Sequence, residues 1–258
     1  MDTSAHLESF AVQTKTFADW VHDKDPETPV PTCPRWTLAD LVSHVGGTQR
    51  MVATLVGQRL TDPSAAFAAT DTGPADPARW RAWLTETETA ATEAFDSVTD
   101  DTPVWDPSGA DSGVPFWARR LFGEITVHRA DAAVAVGARY DVAPEHAVTA
   151  IDDWLETLTS PGYAQARPEF VDAIPDTGQS LHFHATDTAD GWLVRRKPDL
   201  VVLERTHAEA DATARGPAAE LLQVLTRRRP LDDARTLQLL GDRELFDHWI
   251  EHMDWVTD

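Results

Sequence analysis

The sequence predicts two domains of different class: an all-helical domain over residues 1–165, followed by a small α/β domain over residues 166–258. Apolar residues recur with helical spacing through the first part of the chain. Alternation of apolar and polar residues, which is typical of strands, begins only after Ser160-Pro-Gly162. Apolar residues make up 42% of the chain, which is enough to build packed cores in domains of this size.

The helical domain is predicted to contain five helices, and the second has the clearest start. Thr37 is a good N-cap with Asp40 three residues later, an approximate capping box, and Trp36 can pack on Leu41 as a hydrophobic staple. The prolines of segment 26–34 separate this helix from the first one. The other four helices are expected at residues 4–22, 77–98, 115–137 and 144–158.

The α/β domain is predicted from short strand-like segments followed by helical ones. The segment Ser180-Leu-His-Phe-His-Ala185 alternates apolar and polar residues, as a half-buried strand does. Two further strands are expected at 191–195 and 200–205, and two helices at 218–226 and 242–255.

Composition and charge narrow the functional classes. A formal charge of −21 repels phosphate backbones, so nucleic acid is not an expected partner. No run of about 18 apolar residues predicts a membrane helix, and the first residues do not resemble a signal peptide, so we expect a cytoplasmic protein without a membrane partner. The single cysteine, Cys33, excludes an internal disulfide and a cysteine-rich zinc finger.

Three polar residues occupy positions where the helical pattern calls for core residues. His44 falls on the apolar stripe of the second helix, while Glu124 and His128 fall on that of the fourth, one turn apart. An unpaired buried carboxylate costs several kcal/mol or becomes protonated. A metal ion held by these three side chains offsets that cost and leaves an open position, as in catalytic zinc sites. Asp131 is a candidate acceptor for the second nitrogen of a ligand imidazole.

The same spacing also fits simpler interpretations. A Glu and a His four residues apart are more often a surface pair or a buried hydrogen-bonded pair, and spacing alone favours these over a metal site. A di-iron site fits less well, because it requires paired Glu-x-x-His motifs and further glutamates.

The other histidines are weaker candidates for metal ligands. Glu244, His248 and His252 lie on the last helix, but the outer two are about 12 Å apart along the axis, so at most a pair binds one ion. His182 and His184 share one strand face, where a solvated surface is the more common explanation.

Arg227-Arg-Arg229 and Cys33 each have an ordinary structural explanation as well. The arginines follow a helix, where they stabilise its C-terminus by default, although they can also clamp a substrate carboxylate. Cys33 lies close to prolines without an acidic or histidine neighbour in sequence, which favours packing over nucleophilic chemistry.

Two motifs resemble those of the mycothiol-dependent maleylpyruvate isomerase family, part of the DinB-like superfamily of metal-binding four-helix bundles. The first is Cys33-Pro-Arg-Trp-Thr-Leu-Ala-Asp-Leu-Val-Ser-His44, and the second is Glu124-Ile-Thr-Val-His-Arg-Ala-Asp131. The resemblance places the family's zinc ligands on His44, Glu124 and His128. It implies an N-terminal DinB-like four-helix bundle followed by a small C-terminal α/β domain similar to sterol carrier proteins.

The resemblance extends into the second domain, with one departure. Matching features there are Thr186-Asp, Gly191-Trp192, Gly216-Pro-Ala-Ala-Glu and Gly241-Asp. Relatives commonly carry Gly-Arg after the first helix of this domain, whereas this chain has Arg227-Arg228.

The family implies an enzyme that uses zinc and a low-molecular-weight thiol, mycothiol or a related one. The thiolate would attack a small electrophilic substrate such as maleylpyruvate, giving cis–trans isomerisation or thiol transfer. Arg120 and Arg228 are weaker candidates for contacts to substrate or cofactor carboxylates. Two alternatives remain open at this point: a thiol-free, metal-dependent hydrolase, and a metal-stabilised module that binds a small ligand without catalysis.

Overall fold

The computed structural model describes residues 1–68 and 72–253, which divide into two compact units between residues 141 and 142. The sequence-based boundary was placed later, at residue 165. The difference arises from one helix, Pro144–Leu158, which packs against a helix of the second unit. No helix among the described residues is both long and apolar enough to cross a membrane.

Four long helices form the first unit. They are α1 (Thr3–Val21), α2 (Leu38–Gly57), α4 (Trp80–Asp96) and α5 (Val114–Val136), with a short α3 (Ser64–Ala68) between the second and third. Helix α1 packs against α4 and α5, and α2 packs against the same two helices. Each long helix therefore has two long neighbours, which is the arrangement of a four-helix bundle, as the sequence predicted.

The helix ends follow the sequence signals. Thr37 caps α2, accepting from the backbone N–H of Asp40, while the Asp40 carboxylate accepts from the backbone N–H of Thr37, so both halves of the capping box are present. Helix α5 ends at Gly137, whose φ of 71° lies in the left-handed region that glycine adopts without strain. Large side chains on the inner faces fill the core of the bundle, among them Phe10, Phe17, Leu41, Leu55, Trp80 and Leu121.

The second unit is a five-stranded mixed sheet with helices. The strands are β1 (Ser180–Ala185), β2 (Gly191–Arg196), β3 (Val201–Arg205), β4 (Ala212–Gly216) and β5 (Gln238–Gly241), in the order β3-β2-β1-β4-β5. Only β1 and β4 are parallel. The helices are α6 (Pro144–Leu158), α7 (Pro161–Ala166), α8 (Ala218–Leu225) and α9 (Arg243–Glu251).

Strand β1 forms where the sequence predicts it, but it is buried on both faces over most of its length, so the prediction of a half-buried strand with a solvated face is wrong at His182. Leu181, Phe183 and Ala185 are fully buried, and Phe183 lies near Trp249 of α9. His182 and His184 occupy the alternate positions and therefore face the other side of the sheet. Strands β4 and β5 were not predicted. The end of the last predicted helix, beyond residue 253, lies outside the described residues.

Candidate metal centre

Helices α2 and α5 bring the three predicted ligands together. The Nε2 atom of His44 lies 3.2 Å from Oε2 of Glu124, and the Nε2 atom of His128 lies 3.1 Å from the same oxygen. One ligand atom from each residue falls within 4.8 Å of the others, and within the described part of the chain no other trio of His, Cys, Asp or Glu side chains does so. Tetrahedral zinc with bonds of about 2.0–2.1 Å separates neighbouring ligand atoms by roughly 3.3 Å. The observed spacing therefore suits a zinc-sized ion.

The ring of His128 is fixed from behind by a buried carboxylate. Its Nδ1 donates to Oδ2 of Asp131 at 2.8 Å, and Asp131 is completely buried. The hydroxyl of Thr32 donates to the other oxygen of Asp131 at 2.6 Å, and the thiol of Cys33 lies 3.8 Å from Oδ2. Asp131 thus accepts from the imidazole of His128, which is the contact that the sequence predicted for it. Buried Cys33 belongs to the support of this carboxylate, and no role as a nucleophile is needed to explain it.

This support gives the three ligand atoms the chemistry that a cation requires. Because Nδ1 of His128 carries a proton for Asp131, Nε2 of a neutral ring presents its lone pair to Glu124. Two electron-rich atoms at 3.1 Å repel each other unless a proton or a metal ion lies between them. The donor set of two imidazoles and one carboxylate is one that zinc accepts, so the residues fit the ion.

The burial of the ligands decreases from one side of the cluster to the other. The exposed fraction of the side chain is 8% for His128, 17% for Glu124 and 37% for His44. The cluster therefore has a protected side near Asp131 and an accessible side near His44. A small molecule can approach on the accessible side.

Trp36 is a neighbour of the site that the sequence analysis treated only as a helix staple. Its ring centroid lies 4.9 Å from that of His44 and 6.0 Å from that of His128, nearly parallel to the latter. An aromatic wall of this kind restricts ring rotation and excludes water on one side. Its position directly before the N-cap of α2 was the available signal.

Arg120 lies one turn before Glu124, and its guanidinium forms an ion pair with Oε1 of that carboxylate. Oε1 is thereby engaged by a cation while Oε2 faces the histidines. In this arrangement Arg120 fixes the orientation of the Glu124 carboxylate.

Arg228 lies in the second unit, after α8, where its guanidinium donates to the carbonyl of Thr226 at 2.8 Å. This contact is consistent with stabilising the helix end. The proposed contact of Arg228 with a substrate carboxylate stays a prediction.

The histidines of α9 make main-chain contacts. Nε2 of His248 donates to the carbonyl of Asp172 at 2.7 Å, and Nδ1 of His252 donates to the carbonyl of His248 at 2.9 Å. These contacts account for both rings without a metal.

Two family models match the chain in order. The model described as "Mycothiol maleylpyruvate isomerase N-terminal domain" matches residues 7–133, and that of the "MDMPI C-terminal domain" matches residues 145–248. No curated protein sequence matches the chain.

Solved structures agree with this at the level of fold. The mycothiol-dependent maleylpyruvate isomerase aligns over 93% of both chains with 13% identity and a TM-score of 0.52. Its histidine-to-alanine mutant aligns over the same shares with 12% identity and a TM-score of 0.51. Because both domains are matched in chain order and the fold is shared along their length, this chain belongs to the mycothiol-dependent maleylpyruvate isomerase family.

Proposed function

We propose that this protein is a zinc enzyme that uses mycothiol, or a related low-molecular-weight thiol, to isomerise or conjugate a small electrophile such as maleylpyruvate. One observation carries the proposal: His44, Glu124 and His128 converge with an accessible side, in a chain of this family. Three protein ligands and one open position are the pattern of catalytic rather than structural zinc.

Each residue of the centre has a distinct task in this proposal. His44, Glu124 and His128 hold the ion, and Asp131 keeps the Nε2 lone pair of His128 directed at it. Arg120 orients Glu124 through Oε1. Trp36 shields the two imidazoles from water. When bound, zinc lowers the pKa of a thiol in the open position, so that thiolate is available near neutral pH.

The thiolate acts by adding to the alkene of the substrate and leaving again, so no oxidant or reductant is needed. Its sulfur forms a bond to one alkene carbon of the substrate, and the π electrons move onto the conjugated carbonyl as an enolate. The former double bond is now single and rotates. The electrons then return, the carbon–sulfur bond breaks, and the thiolate leaves with the alkene in the trans form. If the adduct is protonated before the sulfur leaves, the product is a conjugate.

Substrate binding requires a cation for the carboxylates of a maleylpyruvate-like molecule. Arg228 is our first candidate, by resemblance. Arg120 is the second, and to bind a substrate carboxylate it would have to give up part of its ion pair with Glu124. Replacing Arg228 by lysine tests this: a contact to substrate predicts a KM about tenfold higher with a smaller change in kcat.

The direct test of the proposed function measures turnover and thiol binding in the same zinc-loaded protein. We expect isomerisation of maleylpyruvate only when mycothiol and zinc are both present. In thermal denaturation, mycothiol should raise the Tm of the zinc-loaded protein and leave the zinc-free protein unchanged. Glu124→Gln should lose both effects, while Glu86→Gln, on the surface and paired with Arg50, should keep them.

Other outcomes would identify the alternatives. Zinc-dependent ester or amide hydrolysis, with no thiol in a panel raising the Tm, would favour the hydrolase. A Tm that falls on zinc removal, no turnover with any thiol, and an apolar ligand retained through purification would favour the metal-stabilised binding module. Either set of results would contradict a thiol-dependent enzyme.

A further inference from the structure

Three histidines lie together on the sheet of the second unit. His182 and His184 come from β1, and His207 follows β3. The ring centroids of His184 and His207 are 4.6 Å apart, those of His182 and His207 are 5.5 Å apart, and those of His182 and His184 are 5.7 Å apart. From the sequence, His182 and His184 are a possible ligand pair, whereas His207 is distant along the chain and was not predicted to join them.

A glycine makes room for this cluster. Gly191 of β2 lies directly opposite His184 in the sheet. A Cβ atom at Gly191 would stand 2.5 Å from Nδ1 of His207, closer than real contacts allow, and 3.0 Å from Nε2 of His182, tighter than most real contacts. Nitrogens from two different rings therefore approach the same spot above the Gly191 backbone. Any side chain at this position would push them apart.

His182 directs an unpartnered nitrogen into this space. The residue is only 5% exposed, and its buried Nε2 has no hydrogen-bond partner. A buried polar atom without a partner costs about 1–3 kcal/mol. Such an atom in a native structure calls for a ligand that satisfies it.

His207 is prepared for the same ligand by its backbone contact. Its Nε2 lies 3.2 Å from the carbonyl of Ala189, and because a carbonyl only accepts, Nε2 carries the proton. In the neutral ring the lone pair is then on Nδ1, the atom beside Gly191. Ligand histidines in metal sites commonly donate their other nitrogen in this way.

We infer that His182, His184 and His207 form a second metal site, for a divalent transition ion that prefers imidazole, such as nickel, copper or zinc. Two imidazoles on one tetrahedral zinc have ring centroids roughly 5 Å apart, given bonds of about 2.1 Å. The three observed separations bracket this value. The ring nitrogens of these three histidines do not converge as closely as the three ligand atoms of His44, Glu124 and His128. His207 is the most exposed of the three residues, so its side chain is the one that can shift to close the site.

Electrostatics favours neutral rings but limits affinity. Burial lowers the pKa of His182 and of His184, and the neighbouring histidines lower both further. The main chain of Thr206 acts in the opposite direction on His182. The positive charge of Arg215 also lowers the pKa of His184, and the same charge opposes a bound cation. We therefore expect weaker binding here than at the helical centre, which contains a carboxylate.

The experiment titrates Ni²⁺ into the full-length protein by calorimetry, with the helical centre removed by His44→Ala and Glu124→Gln. This background should bind about one Ni²⁺ per chain at micromolar concentrations. Adding His207→Ala should weaken binding by about 30-fold or more, because one of three ligands is lost. Adding Gly191→Ala should also weaken it, by about tenfold or more, without removing any imidazole. Adding His252→Ala, which breaks the partly buried pair of His248 and His252 at the end of α9, should change nothing.

Two results would overturn the inference. One is the absence of stoichiometric Ni²⁺ binding in the background protein. The other is binding that survives His207→Ala but is lost with His252→Ala, which would assign the ion to α9. Circular dichroism of every variant confirms folding, and since His207 is exposed, its replacement should leave the spectrum unchanged. Neither result bears on the helical centre or its proposed chemistry.

Discussion

The helical centre and the sheet histidines offer imidazoles to a cation in different electrostatic settings. In the helical centre, Oε2 of Glu124 lies within 3.2 Å of the Nε2 atoms of His44 and His128. On the sheet, three imidazoles face one another, and Arg215 adds a positive charge nearby. A carboxylate ligand neutralises part of a divalent charge, whereas neutral imidazoles leave all of it in place. We therefore expect the same side chain to make a strong metal site in one region and a weaker one in the other.

The rings are also held differently. A buried carboxylate accepts from Nδ1 of His128, whereas a main-chain carbonyl accepts from Nε2 of His207. A carboxylate behind the ring raises the basicity of the ligand nitrogen more than a carbonyl does. We therefore expect the acidic residues around a histidine, more than the number of histidines, to decide which site binds a metal ion tightly.

Removing the charge of Glu124 should lower the zinc affinity of the helical centre more than the changes at Asp131 and Thr32 described next. Glu124→Gln keeps the shape of the side chain, but we expect zinc affinity to fall by about 100-fold or more, because two neutral imidazoles and an amide replace an anionic set. Competition with a chromophoric chelator measures the change, and Glu86→Gln on the surface is the matched control. A loss of less than about threefold would show that the carboxylate is not a ligand.

Asp131→Asn should have the next largest effect. The amide cannot accept from Nδ1 of His128 as strongly as the carboxylate does, so zinc affinity should fall by about 10–100-fold. Thr32→Val, which removes only the hydroxyl bond to Oδ1, should cost less. If the zinc-free Tm drops while zinc affinity is unchanged, Asp131 supports the fold and does not position the ligand.

His6 is a buried histidine that belongs to neither cluster, and it makes the stability of the protein depend on pH. Burial lowers the pKa of His6 to about 4, helped by the N-terminus and Arg119, and its Nδ1 has no partner. Between about pH 6.5 and 4 the unfolded chain binds a proton that the folded protein does not, so the free energy of unfolding falls as pH falls through this range.

His6→Leu should remove about 1–2 kcal/mol of that loss, because leucine does not titrate. Urea denaturation of both proteins at pH 7 and pH 4.5 measures it. Parallel losses in the two proteins would show that His6 is not buried in its neutral form.

The smallest effect is expected at the end of α8. Arg227 has a φ of 60°, the left-handed conformation that costs a non-glycine residue about 1 kcal/mol. Relatives commonly have glycine at this position. Arg227→Gly should therefore stabilise the protein by about 0.5–1 kcal/mol in urea denaturation, whereas Arg227→Ala should not. Equal effects of the two substitutions would assign the change to the side chain instead of the backbone.

Local signals in the sequence were sufficient for most of the fold. The capping residues Thr37 and Asp40 and the stripes of apolar residues locate the helices, because these patterns act within a few residues. Strands β4 and β5 were missed, since β4 consists of small and polar residues and β5 is mostly exposed. Both strands are held by pairing with neighbours, which short-range patterns do not reveal.

The candidate site could be predicted only in part for the same reason. Glu124 and His128 share one helix, so their proximity follows from helical geometry. His44 lies on another helix, where its stripe position made it a candidate, and the resemblance then assigned the three residues as one set. Trp36 and Cys33 contribute through tertiary contacts that have no signature in spacing. His207 joins the sheet cluster by the path of the chain around β2 and β3, and no sequence pattern connects it to β1.

In the proposed centre, His44, Glu124 and His128 together hold one metal ion. The most direct measurement is the zinc content, by elemental analysis after dialysis, of the protein carrying His207→Ala, so that the sheet histidines do not contribute. We expect about one zinc per chain, falling to near zero when His44→Ala or Glu124→Ala is added. An unchanged zinc content in both of these variants would contradict this expectation.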